Sequence, residues 1–240
     1  MPERDAWKAV FAKWKIWLAN VLGGAGLLAA TYGWFWIPDQ KTWHLAISAV
    51  TALAITAACV WLTAITVAAL AGAPARFARA AMWLATLSIW VGLAGWMGAH
   101  APRHAAWLAS LLTMLVRKPV SPSALAPVTD FFWTALLWAG VVALVPLVSG
   151  TRKPLGSLRY WLAAAAGVVA GFWLPWRLFH WAPGFEVFSV QVTSVAIRLA
   201  IAWTVMVTAW LWLVALAAHY PACCIIRASD RRLDAGIGSS

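Results

Sequence analysis

Long, nearly uncharged apolar stretches recur along the chain, separated by short loops, with lysine and arginine crowded into alternate loops. A run of roughly 20 apolar residues wound as an α-helix crosses a hydrocarbon core of about 30 Å, and in lipid a helix satisfies its own backbone hydrogen bonds. Few other folds accommodate such runs. With 64% hydrophobic and 10% charged residues, the chain is far more apolar than an ordinary soluble domain. The period-two alternation of an outer-membrane barrel is absent. The expectation is an all-α, polytopic helical bundle.

Six spans follow from the apolar runs: 17–37, 45–71, 80–99, 131–148, 160–176 and 187–218. Between the third and fourth, residues 105–116 are apolar but too short to cross, and are flanked by Arg103, Arg117 and Lys118. They read as a short interfacial or re-entrant helix. Pro119, Pro122 and Pro127, among serines and alanines, then read as a semi-rigid loop. Residues 1–226 form one transmembrane domain in this reading, and residues 227–240 a flexible tail.

Cytoplasmic flanks of short-looped membrane proteins carry an excess of Lys and Arg. One set of flanks holds Arg4, Lys8, Lys13, Lys15, Arg76, Arg79, Arg152, Lys153, Arg159, Arg227, Arg231 and Arg232; the other holds Lys41, Arg103, Arg117, Lys118 and Arg177. The imbalance puts both termini in the cytoplasm of a cell whose inner (plasma) membrane holds the chain. It also accounts for the net charge of +11 without a nucleic-acid partner. The partners implied are the lipid bilayer, including its anionic lipids, and other membrane subunits or a second copy. The first apolar run continues through Trp34 and Trp36, which is too long for a signal-peptide core of about 7–15 residues, so it reads as a retained signal anchor.

An internal echo links residues 16–37 with 160–181: Trp17-Leu18-Ala19 recurs as Trp161-Leu162-Ala163, and Gly23 as Gly167. Thr51–Ile55 likewise rhymes with Thr193–Ile197. A duplication of this kind would relate the halves by an axis along the membrane normal. Small residues that allow close helix approach recur as Ala163, Gly167 and Gly171, as Gly26 with Ala30, and as Gly92, Gly95 and Gly98.

Twenty tryptophans are the most distinctive compositional feature. Trp14, Trp17, Trp34, Trp36, Trp43, Trp173, Trp176 and Trp181 fall where interfacial belts belong. Trp61, Trp90, Trp203, Trp210 and Trp212 lie inside the spans, where they face lipid or partner subunits, or line a pocket.

Convergent polar chemistry is scarce. Asp39, Asp130 and Glu186 lie at the outer edge with His44, His100, His104 and His180. His100 and His104 have the i, i+4 spacing of a shared metal site. Pro102 between them prefers a first helical turn, however, and leaves His100 outside that helix. Arg198 is the charge placed deepest in an apolar stretch. It reads as a snorkelling anchor, or as a pathway residue needing Asp39, Asp130 or Glu186 as its acceptor. Span hydroxyls such as Thr66 and Thr208 read as glue between helices. No nucleophile, phosphate-loop or dinucleotide motif is present, so no catalytic residue and no cofactor are implied. Adjacent Cys223 and Cys224 lie at the cytoplasmic boundary, where a structural disulfide is not expected. The function expected is a non-catalytic structural or assembly subunit of a membrane complex. A small-solute transporter or channel with Arg198 on its pathway, and an outer-face enzyme using the His and carboxylate groups, are the alternatives.

Overall fold

The computed structural model describes residues 2–38, 41–150, 153–180 and 188–237, without the side chains of residues 2, 153, 178–180, 188 and 221–237. The described residues are 91% helical and include no strand, as the apolar runs require. In order come α1 (Pro2–Ala12), α2 (Trp14–Trp34), α3 (Thr42–Ala71), α4 (Phe77–Ala99), α5 (Ala101–Val116), α6 (Pro122–Ser149), α7 (Leu158–Val168), a π-helical turn (Val169–Trp173), α8 (Leu174–His180) and α9 (Phe188–Ile237). A 3-10 turn (Lys153–Gly156) precedes α7.

Six helices are long and apolar enough to cross a membrane: α2, α3, α4, α6, the composite of α7 and α8 over Leu158–Arg177, and Ser189–Tyr220 of α9. The chain is therefore an all-α helical bundle of multi-pass membrane type. It divides into two compact units, one of residues Met1–Ala81 with Val145–Ser240, the other of Met82–Leu144.

α9 organises the first unit, where α1, α2, α3, α7, the π turn and α8 all pack on it. Leu211 through Ala217 are buried in unbroken succession, so this part of the helix is apolar all round because protein surrounds it. The buried residues gather at one end of the unit: Ala6 and Val10 from α1, Ala64 and Leu70 from α3, and Tyr160 and Ala164 from α7 meet the buried end of α9. Toward the other end, Leu28, Tyr32, Val50, Leu53, Ile197 and Leu199 are exposed, as lipid-facing side chains can be.

Several boundaries differ from the sequence reading. α1 is a separate amphipathic helix, and Lys13, at φ −108° and ψ 47°, breaks it from α2. Its apolar face stacks Trp7 on Trp212 at 5.7 Å. Residues 119–130 were expected as loop, yet α6 begins at Pro122. The correction has a local cause: a helix start lacks intrahelical N–H partners, so Pro122 loses nothing there. Ser121 and Ser123 exchange a hydroxyl bond of 2.6 Å across that start. Thr129, buried in α6, turns its hydroxyl back onto the Leu125 and Ala126 carbonyls. α5 starts at Ala101, places Pro102 in its first turn, and ends in left-handed Arg117 at φ 54°. α9 runs on past Ala218 into the stretch after Arg227 read as a tail.

Candidate functional site

In the first unit, α2, α3 and α9 carry a layer of polar groups within apolar surroundings. Asn20 Nδ2 donates to Thr66 Oγ1 at 2.8 Å and to the Ile16 carbonyl at 2.8 Å, with Asn20 only 8% and Thr66 2% exposed. One turn earlier, Trp17 Nε1 donates to Thr208 Oγ1 at 2.9 Å, and that hydroxyl donates to the Thr204 carbonyl at 2.7 Å. Asn20 Nδ2, Trp17 Nε1 and Thr208 Oγ1 thus each have an acceptor, which is what an apolar setting demands of a polar group. Thr66 and Thr208 thus sit where glue is needed. The partner that sequence reading missed is Asn20, the one amide in α2 and the signal that could have found the layer.

The span tryptophans dock on backbone as well as on side chains. Trp203 Nε1 donates to the Val21 carbonyl at 3.0 Å while its ring lies over Gly24, where an added Cβ would stand 2.7 Å from the ring. The second unit repeats the arrangement: Trp90 Nε1 donates to the Leu137 carbonyl at 3.0 Å, and its ring fills the notch at Gly140. In both pairs the glycine stands three residues after the accepting carbonyl. A helical Cβ leans toward the N-terminus and covers the preceding turn, so its absence at that position opens the carbonyl to an indole. Trp83 reaches the Leu144 carbonyl at 2.8 Å by a related route. Trp212 fills the notch at Gly167, and Ala209 sits in that at Gly171 inside the π turn. Trp90, Trp203 and Trp212 are therefore seated against the chain's own helices. Trp61, in contrast, is 57% exposed.

Arg198 Nε donates to the Ser194 carbonyl at 3.2 Å, and its Nη1 is buried without a hydrogen-bond partner among the described residues. Two of its expected acceptors, Asp39 and Glu186, lie outside the described residues. Asp130, in the second unit, is exposed, and its carboxylate makes no hydrogen bond to another described residue. In the same unit His100 caps α5 from outside, as Pro102 requires. Its Nδ1 shares a hydrogen bond of 2.8 Å with the Trp96 carbonyl, and its ring rests 4.6 Å from that of Trp96. His104 turns to Trp133 instead, at 5.2 Å, with Nδ1 buried and without a partner among the described residues. The two imidazoles thus lie against different tryptophans. No group of three or more His, Cys, Asp or Glu side chains that could hold a metal occurs among the described residues.

Two further polar features lie in the first unit, near the ends of the spans. Arg159 grips Glu3 in a two-pronged ion pair, Nε to Oε1 at 2.7 Å and Nη2 to Oε2 at 2.9 Å, and so ties α1 to α7. That hydrogen bond holds the Glu3 carboxyl below the usual carboxylate range. The second is a cavity of about 270 Å³ between the end of α3, the start of α4 and the end of α6, with Arg76 and Arg79 on its wall.

The fold and these contacts define an all-helical, multi-pass membrane protein in which buried indoles and a small polar layer join helices. No protein-family model matches the chain, and no curated protein or solved structure is similar to it.

Proposed function

We propose that the chain is a non-catalytic subunit of a membrane complex, seated in the inner (plasma) membrane of a cell with both termini in the cytoplasm. One contrast carries the reading. The bundle fills the notches at Gly24, Gly140, Gly167 and Gly171 with its own side chains, whereas Gly92, Gly95 and Gly98 of α4 have nothing within 4 Å of where a Cβ would lie. In lipid, small residues gain from close helix approach only when a second helix arrives. A row left open beside the exposed side chains of Trp96 and Ile89 fits a helix supplied by another subunit or another copy.

A second reading, a small-solute pathway, has support of its own. Arg198 keeps a buried Nη1 with no partner among the described residues, and the fifth span is interrupted by the π turn Val169–Trp173. Interruptions of that kind recur at functional sites.

Affinity purification in mild detergent from the native host, followed by native mass measurement, separates the two. Stoichiometric protein partners that Gly95→Leu expels support the subunit reading. A lone chain, or partners indifferent to Gly95→Leu, removes it and leaves transport assays with Arg198→Ala as the next measurement.

A further inference from the structure

The cavity of about 270 Å³ has two chemically different walls. Ala64, Val67, Ala68 and Ala71 of α3 line one side with methyl groups, and Arg76 and Arg79 occupy the other. It stands where three spans end, at Ala71, Phe77 and Ser149, which is the level at which hydrocarbon gives way to headgroups.

The arginines are placed without being satisfied. Arg79 is half-buried, and its guanidinium packs over Gly150, whose φ of +81° turns the chain there and where any Cβ would overlap the guanidinium. Neither the Arg79 nor the Arg76 guanidinium makes a hydrogen bond or ion pair with another described residue, and no carboxylate is among the described residues that line the cavity. The α3 end that faces it is already closed, because the Ala73 N–H reaches back to the Ala68 carbonyl at 3.1 Å through left-handed Gly72. Arg76 immediately precedes α4 and Arg79 lies in its first turn, so both cations stand beside free N–H groups of a helix start, which also favour an anion.

We propose that this cavity binds a phosphate group, held by Arg79 and Arg76, from a lipid of net negative charge whose glycerol end lies against the alanine and valine wall. Guanidinium forks match phosphate oxygens in pairs. The volume lies just below the range of about 300–1,000 Å³ typical for drug-sized ligands, which suits a headgroup. A free phosphate would use the arginines and leave the methyl wall unused.

The test uses the full chain, purified in maltoside and stripped of lipid. Short-chain phosphatidylglycerol, short-chain phosphatidylcholine and inorganic phosphate are titrated separately, with bound adducts counted by native mass spectrometry. The expected result is phosphatidylglycerol retained about tenfold more tightly than phosphatidylcholine, which is one charge-assisted contact of about 1.4 kcal/mol. Arg79→Gln should abolish that preference, Arg79→Lys should restore it only in part, and exposed Arg76→Gln should weaken it. Arg103→Gln, on α5, should leave it unchanged. Equal retention of the two lipids, or a preference that survives both Arg79→Gln and Arg76→Gln, overturns the proposal. Inorganic phosphate that matches phosphatidylglycerol at equal concentration overturns the lipid source and assigns the cavity to a free anion.

Discussion

Gly24→Ala adds a single carbon to α2, and the structure specifies what that carbon meets. It would stand 2.7 Å from Cζ2 of Trp203, and ordinary contact begins near 3.4 Å, so the indole has to retreat by about 0.7 Å. The ring is not free to do so, because its Nε1 is held on the Val21 carbonyl at 3.0 Å. Weakening that bond costs about 0.6 kcal/mol on the average for helix contacts in membranes, and an off-rotamer indole costs about 0.5–1.5 kcal/mol more. The substitution also carries the general advantage of alanine over glycine in a helix, about 0.8–1 kcal/mol. Gly26→Ala provides that same advantage two residues later on the same helix, with nothing within 4 Å. The difference between the two variants therefore isolates the indole seat at about 1–2 kcal/mol, a five- to thirty-fold change in the folded ratio. Unfolding of the dispersed monomer by sodium dodecyl sulfate in mixed micelles would measure it. Trp203→Phe, which lacks the N–H, should shrink the difference in a double-mutant cycle. Equal stabilities for the two alanine variants, or a difference untouched by Trp203→Phe, would refute the reasoning.

Asn20→Ala removes the donor to Thr66 and should cost about 1 kcal/mol in the same titration, with Thr66→Val adding little in that background. The Glu3 carboxyl is held low by Arg159, so its contribution to docking α1 is present above the ordinary carboxylate value near 4.5 and is lost as pH falls through its lowered value. Hydrogen exchange in α1 should accelerate over that acid range in the wild type, and Glu3→Gln should exchange quickly at every pH.

How much of this was legible in the sequence follows from which forces are periodic. Spans announce themselves because lipid demands an unbroken apolar run, and the six spans of the structure match the apolar runs in number. Helix ends are less visible: Pro122 looks like loop until its missing N–H is set against a helix start that has no use for one. α1 was hidden inside a basic leader, since Arg4 and Lys8, which read as topology signals, also lie exposed on an amphipathic helix buried at Ala6 and Val10. The tryptophan seats could not be read at all. They pair Gly24 with Trp203 and Gly140 with Trp90, and one chain has no local pattern that states which indole finds which glycine. The arginines of the cavity were legible only as topology signals, because their convergence depends on three helix ends meeting.

The helix on which the first unit is built emerges from the ribosome after every element that packs on it. Trp17 waits for Thr208, 191 residues downstream, and Glu3 waits for Trp212, 209 residues downstream. Until α9 enters the bilayer, α1, α2, α3 and α7 have been made without their common neighbour. During synthesis the early spans are thus a set of open half-interfaces. Their completion is an assembly event within one chain, timed by translation of its final membrane helix among the six.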